Sequence, residues 1–388
     1  MYLEYLPPRL VLVGLGHAHL FVLEAVRAGR LPPCDLVVCS GEHRHVYSGM
    51  VPGWLAGRYT VDELSLDTAS LVREAGGRWR DSHVTAIDPG ARVVALADGT
   101  TESYDVCSIA VGSATSGMSL PGVAEHAWPV KPLHAVEAIG ARLDAIARDG
   151  GGEVVVVGGG IAGVELALAL RARATGTGGA TSVRVAIVSR DPALAADRHP
   201  RLSRQLQNAC ERHDVELILQ THPVQVRADS IALQRGDARF DRAADLVVWA
   251  TGAESLPWLR ESGLPVDGRG SLLVNDALRS LGDPRVHAAG DCATLATAPD
   301  TPKAGVYAVR MGPHLASSLA NALGAPHPAA PFHPQRRFLA LVNTGDGRAI
   351  ASYGALVGEG RWAMRWKDWL DRRFIARFAP AASRDSVR

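Results

Sequence analysis

Short, wholly apolar runs that stop at glycine recur along the chain, each followed by residues at helical spacing. Leu10–Val13 is the first; a run apolar on both alternating faces is a strand buried in a parallel sheet. It stops at Gly14 and Gly16, His17–Ala28 then carries helical spacing, and Asp35–Cys39 is the next strand. The unit recurs as a strand at Glu153–Val157, a turn at Gly158–Gly160, a helix over Ile161–Arg173 and a strand over Val183–Val188. Ala174–Ser182 between the last two reads as a loop. Tyr104–Gly112 and Asp245–Gly252 are later strands ending in small residues, and Val286–Asp291 is a strand ending Gly-Asp. Lys303–Ala320 has helical spacing, and Leu339–Val342 with Ala349–Leu356 flank a hairpin turn at Thr344–Gly347.

The pattern predicts an α/β protein with two Rossmann-like dinucleotide-binding domains and a small C-terminal α+β region. The layout implies nesting: residues 1–120 and 268–330 form the first domain and 121–267 the inserted second. Residues 331–388 then form a hairpin and a basic amphipathic helix. Length supports this, since 388 residues exceed one ordinary domain and 47% hydrophobic residues supply ample core. A net charge of +1 gives no reason to expect a nucleic-acid partner. Five cysteines, Cys34, Cys39, Cys107, Cys210 and Cys292, form neither CxxC nor CxxxxC. A reducing compartment is expected, with no disulfide framework and no metal site. The first strand begins almost at once and no run of 18 apolar residues occurs, so neither a targeting segment nor a membrane-spanning helix is expected. The cytoplasm, extending to the inner face of its membrane, is the expected location.

A dinucleotide turn needs one glycine for the bend, a second for close approach of the pyrophosphate, and a helix aiming its N–H groups at the phosphates. Gly14 and Gly16 meet the first two demands, with His17 and Ala18 opening the helix. The third position is His19, which puts close helix–strand packing in question; the imidazoles of His17 and His19 serve packing or a phosphate contact. At the following strand end Ser40, or Glu42 reaching back, would meet a ribose. The second turn is complete: Gly158, Gly160 and Gly163 form GxGxxG, with Glu165 two residues on. Ser189 and Arg190 stand where a carboxylate would select NAD. A serine and arginine tolerate or attract a 2′-phosphate, which favours NADPH or both nicotinamides. Arg190 is equally well read as a solvated charge, and Asp191 partly cancels its field.

In order, the chain runs Gly14–His19, Ala110–Ser113, Gly158–Gly163, Ala250–Ala253, Ala288–Cys292 and then a helix opening Pro302-Lys303-Ala304-Gly305-Val306. This series resembles the pyridine nucleotide-disulfide oxidoreductase superfamily, type II NADH dehydrogenases and sulfide:quinone reductases included. Gly16-His17-Ala18-His19, Tyr47–Gly53 and Val130-Lys131-Pro132 are most similar to the FAD-dependent oxidoreductase module found alone or fused to selenide, water dikinases. The resemblance implies FAD at Gly14, Gly16 and Gly112. Asp291 would meet the ribityl chain, and the Gly305 and Val306 amides the flavin pyrimidine edge. It implies NAD(P)H at Gly158, Gly160, Gly163, Glu165 and Gly252. The Ser48-Gly49-Met50 loop falls where disulfide reductases carry their cysteine pair, so a disulfide relay is not expected. Lys131 and Cys292 are further flavin-proximal candidates; a solvated lysine and a buried small residue are the alternatives. No catalytic acid or base is assigned, and His43 and His45 stay open.

Arg361–Phe378 carries six basic residues, and Trp362, Trp366, Trp369, Leu370 and Phe374 recur at spacings of three and four. Such a stripe suits a membrane interface, or else packs on the body or on a second copy of the chain, which leaves a homodimer open. The expected function is an NAD(P)H-oxidising flavoenzyme passing electrons to a quinone or another small acceptor. Two alternatives remain: reduction of a selenium or sulfur compound, and a flavin-bearing sensor or interaction protein with negligible turnover.

Overall fold

A computed structural model describes residues 6–131, 135–176 and 182–380. The apolar runs are buried parallel strands. One sheet has the order Val286–Ala288, Val106–Ile109, Arg9–Val13, Asp35–Cys39, Arg78–Arg80, with every neighbouring pair parallel. The second has the order Ala127–Pro129, Leu246–Trp249, Gly152–Val157, Val183–Val188, Val215–Ile218, also parallel throughout. Val154 to Val157 are at most 3% exposed; each buried valine of this kind stabilises by about 1.5–3 kcal/mol, which is why the run is apolar on both faces. The first sheet takes its last strand from beyond the second sheet. The two units are stitched by a short antiparallel pair, Ala114–Thr115 with Ala253–Glu254, leading out of the equivalent strand in each.

The longer helices are α1 (His17–Arg27), α2 (Ala135–Arg148), α3 (Ile161–Gly176), α4 (Pro200–Arg212), α5 (Gly305–Ala322) and α6 (Arg361–Phe378). Helix α3 runs three residues past the expected end at Arg173, so the loop begins later; residues 177–181 lie outside the described residues. The C-terminal region is more than a hairpin. Ala340–Asn343, Ala349–Tyr353 and Leu356–Gly360 form a three-stranded antiparallel sheet against which α6 packs.

The chain crosses between cores more often than its sequence order suggests. Leu259 and Leu264, assigned by sequence to the second unit, are buried in the core of the first. Conversely Met50, Leu55, Tyr59 and Leu64 leave the first unit to pack with α2 and α3. The apolar side of a short segment does not reveal which neighbour will cover it.

Helix α6 lies along the body with two unlike faces. Ala363, Met364, Lys367, Asp371 and Phe378 are buried, whereas Trp362, Trp366 and Trp369 are 52%, 42% and 54% exposed. Phe374 leaves the expected stripe and stacks on Tyr47, ring centroids 4.3 Å apart. Tyr59 donates to Asp368 (2.8 Å), Arg372 pairs with Glu63 (2.9 Å) and Arg377 with Glu24 (2.8 Å), tying α6 to the first 64 residues.

Candidate functional site

The first glycine turn is built for close backbone approach. A Cβ at Gly16 would lie 2.4 Å from the Ala110 carbonyl oxygen, and the Gly16 N–H donates to that oxygen (2.9 Å). The substituted third position is filled rather than open. The His19 ring is fully buried, with Nδ1 2.6 Å from the Gly14 carbonyl oxygen and Nε2 2.8 Å from Ser108 Oγ. A carbonyl only accepts, so Nδ1 carries the proton and Nε2 accepts from the serine hydroxyl. Burial pushes the imidazole down to about 4, keeping it neutral. The helix therefore packs through a hydrogen-bonded side chain where the usual turn has none. Ala18 is buried beside it. Ser40 is buried too, its hydroxyl accepting from the Glu42 N–H (3.3 Å).

His17 does the opposite, turning toward the loop at Ser48. Its Nε2 is 3.3 Å from Ser48 Oγ, and its ring meets that of His45 edge-on at 4.9 Å. Burial, then His45 and Lys131, push it down to about 3. His45 is held by Nδ1 against the Leu15 carbonyl (2.7 Å) and pushed to about 4 by burial. A Cβ at Gly305, the first residue of α5, would lie 3.5 Å from Ser48 Oγ and 3.7 Å from the His17 ring. The N-termini of α1 and α5 thus converge on one spot walled by His17 and Ser48. Two helix dipoles directed there favour anionic groups. At its margin Asp291 accepts from Lys131 Nζ (3.0 Å) and from Ser113 Oγ (3.1 Å). Lys131 is therefore placed at the site, and its neighbour Pro132 lies outside the described residues. Gly112 takes a left-handed turn (φ +70°) between the strand and Ser113. Gly305 is exposed and Val306 half-buried, which leaves the α5 terminus open to a ligand. This cradle fits FAD: glycines for the pyrophosphate, a carboxylate for hydroxyls, a positive helix end for the ring edge.

Cys292 is fully buried, its thiol directed at the Ala289 and Ile109 carbonyls (3.3 and 3.5 Å) and pushed up by burial. That makes it a packing residue beside Asp291. Met50 is likewise fully buried, in the core beneath α2 and α3, and does not line the chamber.

The second turn shows the same design with all three glycines. A Cβ at Gly158 would meet the Ala250 oxygen at 2.2 Å, and one at Gly163 the Gly158 oxygen at 2.0 Å. Gly160 is different: nothing lies within 4 Å of its Cβ position, so the turn opens on free space ahead of α3. Gly252 is exposed at the facing strand end. Ser189 is buried, its Oγ against Gly159 and accepting from the Asp191 N–H (3.2 Å), while Arg190 is exposed. Glu165 points elsewhere. Its Oε1 accepts from the Asn343 N–H (2.7 Å), and burial raises its carboxyl to about 6.

Glu165 leads to a group that sequence reasoning missed. Lys367 Nζ donates to the Gly49 carbonyl (2.7 Å) and to Asp371 Oδ2 (3.0 Å), with both side chains only 7% exposed. Burial raises both the Tyr47 phenol and the Asp371 carboxyl. In the sequence Lys367 and Asp371 look like two charges among many on a basic helix. Lys367 lies 3 residues after Met364, and Asp371 lies 7 from both Met364 and Phe378; that was the available signal, but it needs knowledge of which face is covered.

Two parallel dinucleotide-type sheets, each with a glycine turn before a helix, define the class of NAD(P)H-dependent flavoprotein oxidoreductases. The sequence profile of the pyridine nucleotide-disulphide oxidoreductase family matches residues 8–312, and the chain belongs to that family. Demethylphylloquinone reductase of Synechocystis is 27% identical over 73% of this chain and 71% of its own length. An NADH dehydrogenase-like protein of Mycobacterium tuberculosis is 29% identical over 58% of this chain but 57% of its own length. Sulfide:quinone oxidoreductase of Aquifex aeolicus superposes with a TM-score of 0.81 at 16% identity, over 96% of this chain and 91% of that one. The last comparison speaks to fold alone.

Proposed function

We propose that the chain oxidises NAD(P)H and passes the electrons through FAD to a quinone or similar small acceptor, without a redox disulfide. The observation that carries this is the convergence of α1, α5 and the Ser48–Gly49 loop on one chamber into which, among the described residues, no cysteine side chain points. Cys292, the nearest in sequence to Asp291, is buried with its thiol turned to backbone carbonyls. Gly14, Gly16, Asp291 and Gly305 hold FAD; Gly158, Gly160 and Gly163 hold the nicotinamide nucleotide. Bound FAD supplies the ring that accepts a hydride and releases electrons. The protein binds, orients and sets the field: the α5 terminus stabilises negative charge at the ring edge. Neutral His17 and His45 pack beside it without adding charge. The demethylphylloquinone reductase among the relatives supports a quinone acceptor.

Absence of a carboxylate at Ser189, together with exposed Arg190, supports use of NADPH as well as NADH. The exposed Trp362, Trp366 and Trp369 face, flanked by Arg365 and Arg373, supports docking on an anionic membrane surface. Among the described residues no helix is long and apolar enough to cross a membrane. The function is tested by mixing holoprotein anaerobically with NADH or NADPH and then with a soluble quinone. Flavin bleaching followed by recovery is the expected outcome; failure to bleach with either nucleotide overturns the proposal.

A further inference from the structure

The two oxygens of Asp291 are differently placed. Oδ2 takes two hydrogen bonds, from Lys131 Nζ (3.0 Å) and Ser113 Oγ (3.1 Å), while Oδ1 has no partner among the described residues. Lys131 Nζ also donates to Ser113 Oγ (2.7 Å), which closes a triangle. The serine hydroxyl has one proton, which goes to the carboxylate, so its lone pair receives the ammonium. The carboxylate cannot turn without breaking two bonds. Resting on the function proposed above, we propose that Lys131 is a positioning residue for FAD. It fixes Asp291 so that Oδ1 is left for a ribityl hydroxyl, and it balances the carboxylate charge beside the flavin.

The three residues come from separate pieces of chain. Asp291 follows the Val286–Ala288 strand of the first sheet, in a short turn opened by Gly290 at φ +81°. Ser113 lies between Gly112 and the Ala114–Thr115 strand that stitches the two units. Lys131 belongs to the other unit, two residues beyond the Ala127–Pro129 edge strand of the second sheet. There the Val130 N–H donates to the Trp249 carbonyl (3.3 Å). Ser116 hangs from the same strand end, its N–H donating to the Gly252 carbonyl (2.8 Å) and its own carbonyl accepting from Thr251 Oγ1 (2.6 Å). The cation that balances Asp291 is therefore supplied by the unit that does not carry Asp291.

Stability alone does not account for the triangle. The Lys131 and Asp291 side chains are 34% and 15% exposed, and an ion pair this open to solvent adds little to folding. Lys303 lines the same pocket as Asp291, yet it donates to the Ala293 carbonyl and to Thr294 Oγ1 (2.7 Å) instead. Among the described residues Lys131 is the one cation paired with Asp291. Its charge also reaches the chamber: burial, then His45, then Lys131 hold the His17 imidazole neutral. A sugar-alcohol hydroxyl needs an acceptor oxygen with open lone pairs, and a carboxylate already fixed in place offers one without further ordering.

Lys131→Gln removes the charge and keeps a donor; Lys131→Arg keeps the charge. Titrating FAD-free protein with FAD, Kd should rise roughly tenfold in Lys131→Gln, the scale of one misdirected hydrogen bond to a charged group. Lys131→Arg should recover most of that loss. The urea midpoint of FAD-free Lys131→Gln should match wild type. In the holoprotein the flavin midpoint potential should fall in Lys131→Gln, which leaves a bare carboxylate beside the ring. It should rise in Asp291→Asn, which leaves a bare ammonium, and return toward wild type in the double variant. Each single shift should correspond to about tenfold in the two-electron equilibrium, ~30 mV. A merely loosened cradle weakens FAD binding without moving the two potentials in opposite directions. Unchanged FAD affinity in Lys131→Gln, potentials shifted the same way in both single variants, or a urea midpoint lowered before FAD is added overturns the assignment. Wild-type protein that takes up no FAD contradicts the underlying function instead, whatever the variants do.

Discussion

Lys367 Nζ lies 2.7 Å from the carbonyl oxygen of Gly49, joining the last helix to the Ser48–Met50 loop across 318 residues of sequence. That single contact makes α6 part of the chamber. Lys367 and Asp371 are both buried, so neither tolerates loss of the other. Lys367→Met should cost about 3–5 kcal/mol by leaving a buried carboxylate uncompensated. The double variant Lys367→Met/Asp371→Leu should recover part of that cost. Urea unfolding of the three proteins checks it; a double variant less stable than the single would contradict the pairing.

His19 replaces a small residue and fills its space with two hydrogen bonds. His19→Ala should therefore destabilise rather than relieve crowding, by about 1–3 kcal/mol for the buried groups left unpaired. The pH dependence has a definite sign. His17, His19 and His45 have folded values of about 3, 4 and 4, below the ordinary 6.5. The unfolded chain binds protons that the folded one refuses, so their contribution is intact above 6.5 and lost as pH falls toward about 4. His19→Ala should flatten that acid slope. A slope as steep as wild type between pH 6.5 and 4 would count against a neutral, buried His19.

Gly160→Ala separates nucleotide binding from folding. Its Cβ position is open, so the protein should unfold at the wild-type denaturant concentration and keep its FAD. The added methyl stands where the pyrophosphate must approach, so KM for NAD(P)H should rise at least about tenfold. An unchanged KM would remove the second turn from the site. Gly158→Ala, with a Cβ 2.2 Å from a carbonyl oxygen and φ +135°, should instead fail to fold stably.

Deleting α6 is a poor test of membrane docking, since its inner face completes the chamber. Replacing Trp362, Trp366 and Trp369 together by serine touches only the outer face. Sedimentation with anionic vesicles should drop severalfold, while soluble-quinone turnover stays within about twofold, exposed sites costing little. Vesicle binding equal to wild type would rule out this face as the docking surface.

The strands and glycine turns were legible because a strand buried on both faces must be apolar throughout and a phosphate turn must lack side chains. Val154–Val157 and Gly158–Gly160 satisfy both demands without help from the rest of the chain. His19 was legible as a departure, but its compensation was not: Ser108 lies 89 residues away and carries no motif. Lys367 and Asp371 were hidden for the same reason. Charge on a basic helix says nothing of burial until the helix is docked. Glu165 was grouped with the nucleotide by its place in the motif, whereas its carboxyl reaches Asn343 in the C-terminal sheet. Local rules found the two turns, and only long-range packing reveals what lies between them.

The central claim, that electrons pass from NAD(P)H through FAD and leave directly for a quinone, is tested most directly by anaerobic stopped-flow absorbance of the holoprotein. NADPH or NADH should bleach the flavin band, and a soluble quinone should restore it at the same rate in a variant with all five cysteines replaced by alanine, four of them being buried beyond the reach of a thiol reagent. No bleaching, or a quinone step abolished in that variant while it remains folded, would contradict it.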